Sequence, residues 1–309
     1  FHPMLVFIVL IVAGLILLTL GAECLVRGSS SVALRFGVTP LVVGLTIVAF
    51  GTGSPEFAIS IGSAINGNTA MAIGNVVGSN ISNVMLILGI AAVIKPLNAR
   101  AEIIRRETPI MVAVTLLFLL LVFDGSLSRI DGAILVIAAV AYTFLTYFLS
   151  RKKQLEVVEE EFEEAFEISK SGVWKDVILI IAGFALLVSG AYSLLSGAVE
   201  IAKHFGISDV VIGLTIIAVG TSLPELATSA VAAYKGEADV ALGNAIGSNV
   251  LNILGVLGLT ALILPIPLDG IKPTDLGVML GSAVLLNLLL GRRFILSRPE
   301  GALLIVGYF

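Results

Sequence analysis

Glu56 and Glu225 sit inside apolar runs, each directly after a proline, in the segments Gly-Thr-Gly-Ser-Pro-Glu and Gly-Thr-Ser-Leu-Pro-Glu. A carboxylate in hydrocarbon is costly unless charge or hydrogen bonds meet it, so an ionisable group there is a functional candidate by default. Proline removes a backbone donor and clashes with the preceding turn, and Gly51 and Gly220 loosen the helix further. The carbonyls upstream, for instance on Ala49 and Ala218, are therefore expected to lose their intrahelical partners. Such backbone is tolerated at membrane depth only where it is buried or lines a hydrated cavity. Released carbonyls beside a carboxylate make an oxygen-rich cation site. Neither segment holds a Lys or Arg that would neutralise its acid.

A second motif follows each acid: Gly-Asn-x-x-Gly-Ser-Asn-x-x-Asn. It supplies Asn75, Ser79, Asn80 and Asn83 in one place, and Asn244, Ser248, Asn249 and Asn252 in the other. Ser79 and Asn83 stand four apart, so they share one helical face, and Gly74 and Gly78 are expected to let that helix approach its neighbour closely. Carboxylates, hydroxyls, amides and carbonyls are hard ligands that suit Ca²⁺ and alkali cations; soft transition metals want Cys or His. Two carboxylates balance the charge of one Ca²⁺. Na⁺ or protons competing for the same oxygens would give exchange a physical basis. No nucleotide-binding loop is present, so an ion gradient must supply the energy, and no nucleophile–base pair or resident cofactor motif points to an enzyme.

The two sets are copies. Residues 42–89 align with 211–258 without a gap at a constant offset of 169, with nearly half the positions identical. The same offset pairs Phe36-Gly37 with Phe205-Gly206, Arg129 with Arg298, and Gly132-Ala133 with Gly301-Ala302. The chain thus reads as two five-span units, 1–150 and 174–309, joined by a linker at 151–173. An odd number of spans per unit inserts the second copy upside down, a plan found in secondary transporters with a central site at the repeat interface. Inversion is expected to bring the two Glu-bearing breaks together near the midplane, flanked by the two Ser/Asn faces.

Composition supports a membrane setting. Hydrophobic residues make up 58% and charged residues 13%, against roughly half and a quarter in soluble domains. Mean hydropathy is +1.09. The expected spans are Met4–Leu25, Leu41–Ile65, Ala70–Ile94, Thr108–Phe123 and Ile130–Leu149, then Val177–Val199, Val210–Ala233, Val240–Leu264, Leu276–Leu290 and Gly301–Phe309. The fold class is an all-α polytopic membrane protein of ten transmembrane helices in two inverted repeats, the second and seventh broken. Met4–Leu25 reads as a retained span rather than a signal peptide. Phe309 corresponds to Val140, whereas the fifth span runs on to Leu149, so the tenth helix is expected to be cut short. Placing the N-terminus outside puts Arg27, Arg35, Arg100, Arg105 and Arg106 inside with most other basic residues, and leaves only Arg129, Lys203 and Lys272 outside. The expectation is a multi-pass protein of the cell membrane with a cytoplasmic linker.

Other candidates carry blander readings. The linker Arg151–Gly172 has a basic start, an acidic run and interleaved Val157, Phe162 and Phe166, and reads as a solvated tether rather than a cation sensor. Glu23 and Glu200 lie near span ends and are not related by the offset; His2 and His204 occupy end or loop positions. Cys24 is the one cysteine and reads as a small buried filler, and Trp174 as an interfacial anchor.

In "GTGSPEF" with "GNVVGSNISN", and "GTSLPEL" with "GNAIGSNVLN", the chain resembles the cation/calcium exchanger superfamily, in its prokaryotic sodium/calcium exchanger branch. The resemblance implies a core of the second, third, seventh and eighth spans, with the first and sixth sliding across it. It also implies electrogenic exchange of Na⁺ for Ca²⁺ by alternating access. Carried over, Glu56 and Glu225 would bind Ca²⁺ with the Thr52 and Thr221 carbonyls. Ala49, Ser79, Ala218, Ser222 and Ser248 would complete Na⁺ sites, with Asn83 and Asn252 at the centre. Lipid, Ca²⁺ and Na⁺ are the implied partners, with no nucleic acid and no protein partner, a monomer sufficing for transport. Two departures stand out. Gly53 occupies the place of a hydroxyl that the second copy keeps as Ser222, and both central positions are Asn where some relatives carry Asp. An H⁺/Ca²⁺ or other divalent exchanger on the same scaffold, and a cation channel, are the alternatives.

Overall fold

The apolar runs fold as helices because a lipid-facing backbone must satisfy its own hydrogen bonds. The computed structural model describes residues 2–36, 39–67, 69–157, 173–206, 218–268 and 271–309. Most of the expected linker, and the start of the expected seventh span, lie outside them. Among the described residues six helices are long and apolar enough to cross a membrane, or seven if one bent pair counts as a single span. That pair, Pro40–Thr52 and Ser54–Ile65, is bent by 45° at Gly53. The fourth, seventh and tenth expected spans contain shorter helices: Thr108–Leu121, Leu223–Lys235 and Arg298–Tyr308. The break expected at the second Thr-x-x-Pro-Glu is also present, with Ala218–Thr221 separated from Leu223–Lys235 at Ser222.

Two pairs of two-residue strands close the loops. Leu97–Asn98 pairs with Ile295–Leu296, and Ser126–Leu127 with Ile266–Pro267, both antiparallel. The offset of the repeat carries each pair onto the other with its partners exchanged, as a two-fold operation requires. Hydropathy patterns do not reveal strands this short. Helix starts recur likewise: Ser128 with Asp131 and Ser297 with Glu300 form matching caps.

The first and sixth helices, His2–Phe36 and Val173–His204, overrun the expected spans at both ends. They pack antiparallel along a glycine stripe of period seven. A Cβ on Gly14 would lie 2.6 Å from the Leu194 backbone nitrogen, and one on Gly21 2.8 Å from that of Leu187. Gly183 and Gly190 meet Leu25 and Leu18 in the same way. Only glycine permits backbones this close, which is how helices associate where lipid removes a hydrophobic drive. Arg35 is ion-paired with the buried Asp176 at one end of the pair. The pair is peripheral: 17% and 22% of its spanning windows are buried, against 67% for Thr69–Ile94 and 83% for Ala238–Ile263. Those two inner helices carry the Ser/Asn motifs.

Close approach of an inner helix occurs at Gly243 and Gly247, whose added Cβ atoms would lie 2.9 Å from Leu41 O and 2.6 Å from Leu45 O. The expectation named the first-copy equivalents, Gly74 and Gly78. The segment that the offset sets against them falls at 207–217, outside the described residues.

Candidate functional site

Each broken helix restarts at its Pro-Glu, placing the acid in the first turn of Ser54–Ile65 or Leu223–Lys235. Proline is favoured there because its missing N–H would have no helical acceptor anyway. An acid in a first turn also meets the positive end of the helix dipole. Both carboxylates are buried, Glu56 1% and Glu225 2% exposed. Neither forms an ion pair with Lys, Arg or His among the described residues.

The polar side chains around them come from both copies. Ser222 Oγ, at the second break, lies 3.5 Å from Glu56 Oε1 and 3.4 Å from Ser79 Oγ, and can donate to either. Thr52 Oγ1 lies 3.0 Å from Val48 O and 3.1 Å from Asn244 Oδ1. On the other side of the site, an added Cβ at Gly53 would stand 3.8 Å from Glu225 Oε1 and 3.9 Å from Asn252 Oδ1. These contacts bring Ser222 and Ser79 together with Glu56, and Glu225 and Asn252 together around Gly53; Thr52, Asn83, Ser248 and Thr221 are likewise buried. Ala49 and Ala218 begin the short helices leading into the breaks, Ala49–Thr52 and Ala218–Thr221.

One detail of the expected backbone is corrected. The Ala49 carbonyl is not released: Gly53 N–H donates to it at 3.0 Å. A proline strips the carbonyl four residues back, so Pro55 deprives Gly51, and Pro224 deprives Gly220. Ala49 O still has a second lone pair to offer.

Eight buried side-chain polar atoms have no hydrogen-bond partner among the described residues, and four of them belong to candidate site residues: Glu56 Oε2, Glu225 Oε2, Asn83 Oδ1 and Ser248 Oγ. Each such atom costs about 1–3 kcal/mol if left alone, and more when charged. Unpartnered oxygens on two acids that form no ion pair among the described residues are suited to a cation. The donor set is carboxylate, amide and hydroxyl oxygen, suited to a hard ion. No cluster of three or more His, Cys, Asp or Glu forms among the described residues. A cavity of about 640 Å³ lies alongside the break, but Ile47, Phe50, Phe57, Phe144 and Leu259 give it apolar walls and neither acid lines it.

Sequence reasoning missed a supporting layer. Asn75 Nδ2 donates to Ser60 Oγ at 3.0 Å and to Glu56 O at 3.4 Å; Asn244 Nδ2 donates to Ser229 Oγ at 3.0 Å and to Glu225 O at 3.3 Å. These bonds tie each acid-bearing turn to the adjacent inner helix. Ser60 and Ser229 are identical at the repeat offset, and that identity was the available signal. A further buried acid, Glu107, lies outside the site; Arg106 Nε donates to it at 2.6 Å and Tyr142 Oη at 3.0 Å. The inner helices pass into π-helical turns that begin at Asn83 and Asn252. Such turns recur at functional positions.

The family described as sodium/calcium exchanger protein matches residues 6–148 and 175–309. The putative antiporter CaxA of Alkalimonas amylolytica is 39% identical over 310 residues, covering 99% of this chain and 97% of that protein. The sodium/calcium exchanger MaX1 of Methanosarcina acetivorans is 32% identical over 333 residues, covering 97% and 95%. A solved structure of the sodium-calcium exchanger NCX_Mj, soaked with Na⁺ and Sr²⁺, superposes with a TM-score of 0.85 at 31% identity, covering 98% of this chain and 96% of that one. With two buried acids on broken helices, a matching family profile along nearly its whole length and a shared fold, the chain belongs to the sodium/calcium exchanger protein family, membrane antiporters rather than enzymes.

Proposed function

We propose that the protein is a secondary antiporter that exchanges Na⁺ for Ca²⁺ across the cell membrane by alternating access. The observation that carries this reading is the pair of buried carboxylates, Glu56 and Glu225, each with an unpartnered oxygen and no ion-pair partner among the described residues. Their two charges balance one Ca²⁺. The Thr52 and Thr221 carbonyls add oxygens to that site. Ala49, Ser79, Ala218, Ser222 and Ser248 serve Na⁺, with Asn83 and Asn252 at the centre. Because Na⁺ and Ca²⁺ compete for shared carboxylates, occupancy by one expels the other, and a gradient of one drives the other.

The proposed layout is ten spans in two inverted halves, 1–150 and 174–309, joined by a cytoplasmic linker at 151–173 with the N-terminus outside. The exchange of strand partners under the repeat offset supports the two-fold relation, and the split of basic residues supports the orientation. The proposed site draws all its ligands from one chain, so a monomer suffices. Glu56→Gln and Glu225→Gln test the assignment through calcium exchange, as argued in the Discussion.

Gly53 favours a second reading, coupling to protons or weaker coupling to Na⁺. Ser222 Oγ bridges toward both Ser79 and Glu56, whereas its counterpart position holds no side chain and Ser248 Oγ is left without a partner. A Ser at 53 would carry its Cβ 3.0 Å from Ala49 O, a tight but helical contact, with Glu225 Oε1 at 3.8 Å. Gly53→Ser is expected to raise apparent Na⁺ affinity by about tenfold, about 1.4 kcal/mol for one added hydroxyl oxygen as ligand. Sodium-dependence curves of calcium uptake measure it. An unchanged curve removes Gly53 as a determinant of coupling.

A further inference from the structure

Four asparagine side chains meet where the two copies of the Ser/Asn motif cross, all at most 3% exposed. Asn80 Nδ2 donates to the backbone oxygen of Asn249 at 3.2 Å, and Asn249 Nδ2 donates to the backbone oxygen of Asn80 at 3.1 Å. A backbone carbonyl only accepts, so each of these amides must turn its nitrogen toward it. That choice sets the oxygen of each amide on its other edge. There Asn80 Oδ1 lies 3.1 Å from Asn252 Nδ2, and Asn249 Oδ1 lies 3.0 Å from Asn83 Nδ2. An acceptor requires a donor, so Asn83 and Asn252 present their nitrogens to this network and turn their oxygens away. Asn83 Oδ1 is buried without a donor, and Asn252 Oδ1 lies with Glu225 Oε1 around Gly53. Two backbone carbonyls thereby decide the orientation of four amides.

We propose that Asn80 and Asn249 are positioning residues for the ion site: they hold Asn252 and Asn83 with carbonyl oxygens, not amide nitrogens, toward the cation. The inference rests on the cation-exchange reading. The coupling is crossed, since Asn80 of the first copy orients a ligand of the second, and Asn249 the reverse. An amide freed to rotate by half a turn would present N–H donors to the ion, replacing attraction with repulsion. Neither Asn83 nor Asn252 meets another amide or carbonyl partner among the described residues that would fix its orientation instead.

The test uses a property of aspartate: its two oxygens are equivalent, so a carboxylate at 252 has no wrong orientation. Calcium binding is measured by titration calorimetry on the purified full chain in Na⁺-free buffer. Asn80→Ala is expected to weaken binding about tenfold or more, the usual cost of removing a partner that orients a ligand. In an Asn252→Asp background the same change is expected to cost less than about threefold, a coupling that independent sites would not show. An equal loss in both backgrounds, or no loss in the first, overturns the proposal. Asn249→Ala with Asn83→Asp repeats the test across the two-fold. If neither alanine variant gives monodisperse protein, the amides are packing elements and the proposal fails. Wild-type protein that binds no Ca²⁺ would overturn the exchange reading itself.

Discussion

Glu56→Gln and Glu225→Gln each abolish calcium exchange, lowering uptake by at least about 100-fold, because the affinity of an oxygen site for Ca²⁺ is set largely by its count of charged ligands. Gln keeps the shape of the side chain and one carbonyl oxygen, so the change is one of charge. A site holding a single carboxylate leaves a divalent ion uncompensated in a medium where that charge is expensive. Folding is expected to survive, which thermal melting of the same preparation measures. Indeed, with no basic residue paired to either acid among the described residues, the substitution orphans no buried cation. Proteoliposome uptake with each variant, normalised to reconstituted protein, gives the result. Substantial exchange by both variants would remove the acids from the site.

Gly247→Ala has the second-largest expected effect. Its Cβ would lie 2.6 Å from Leu45 O, 2.7 Å from Leu45 Cα and 2.9 Å from Leu45 C, all backbone that cannot swing aside. The Ala238–Leu251 helix must therefore retreat from the Gly44–Val48 turn. Overpacking of this kind costs about 1–3 kcal/mol. The functional cost is larger, because Ser248, Asn249 and Asn252 ride on the displaced segment, and a shift of about 1 Å in a positioned group can cost on the order of 100-fold in rate. Gly281→Ala is the control: among the described residues nothing lies within 4 Å of its added Cβ. There the better helix propensity of Ala is expected to leave the melting point unchanged or slightly raised. Wild-type uptake by Gly247→Ala would show that the close approach does not position the site.

Much of the candidate site was legible because its motifs are written twice. A Thr-x-x-Pro-Glu and a Ser/Asn motif repeated at one offset imply two helix breaks, two acids and their polar flanks, and the 45° bend at Gly53 follows from the same Gly and Pro. The freed carbonyl was misplaced because a proline acts four residues upstream, at Gly51 rather than at Ala49. The close approach at Gly243 and Gly247 depends on which neighbour a helix meets, and local sequence does not state that. The amide network was hidden for a stronger reason. Asn80 and Asn252 touch across 172 residues, and which edge of an amide faces its partner follows from the contact alone. Gly14, Gly21 and Gly28, with Gly183, Gly190 and Gly197, do carry a period of seven in the sequence. A hydropathy reading averages over it, since glycine adds little to either sign. Glu107 follows Arg105 and Arg106 directly and drew no expectation from the sequence, yet it is fully buried with Arg106 and Tyr142 as donors.

The central claim is that a sodium gradient drives calcium through the site built on Glu56 and Glu225. Its most direct test is calcium uptake into proteoliposomes loaded with Na⁺, compared at fixed pH with vesicles loaded with K⁺ or choline. Uptake that requires internal Na⁺ is the predicted result. Uptake indifferent to Na⁺ but driven by a pH gradient would contradict it and assign the coupling to protons.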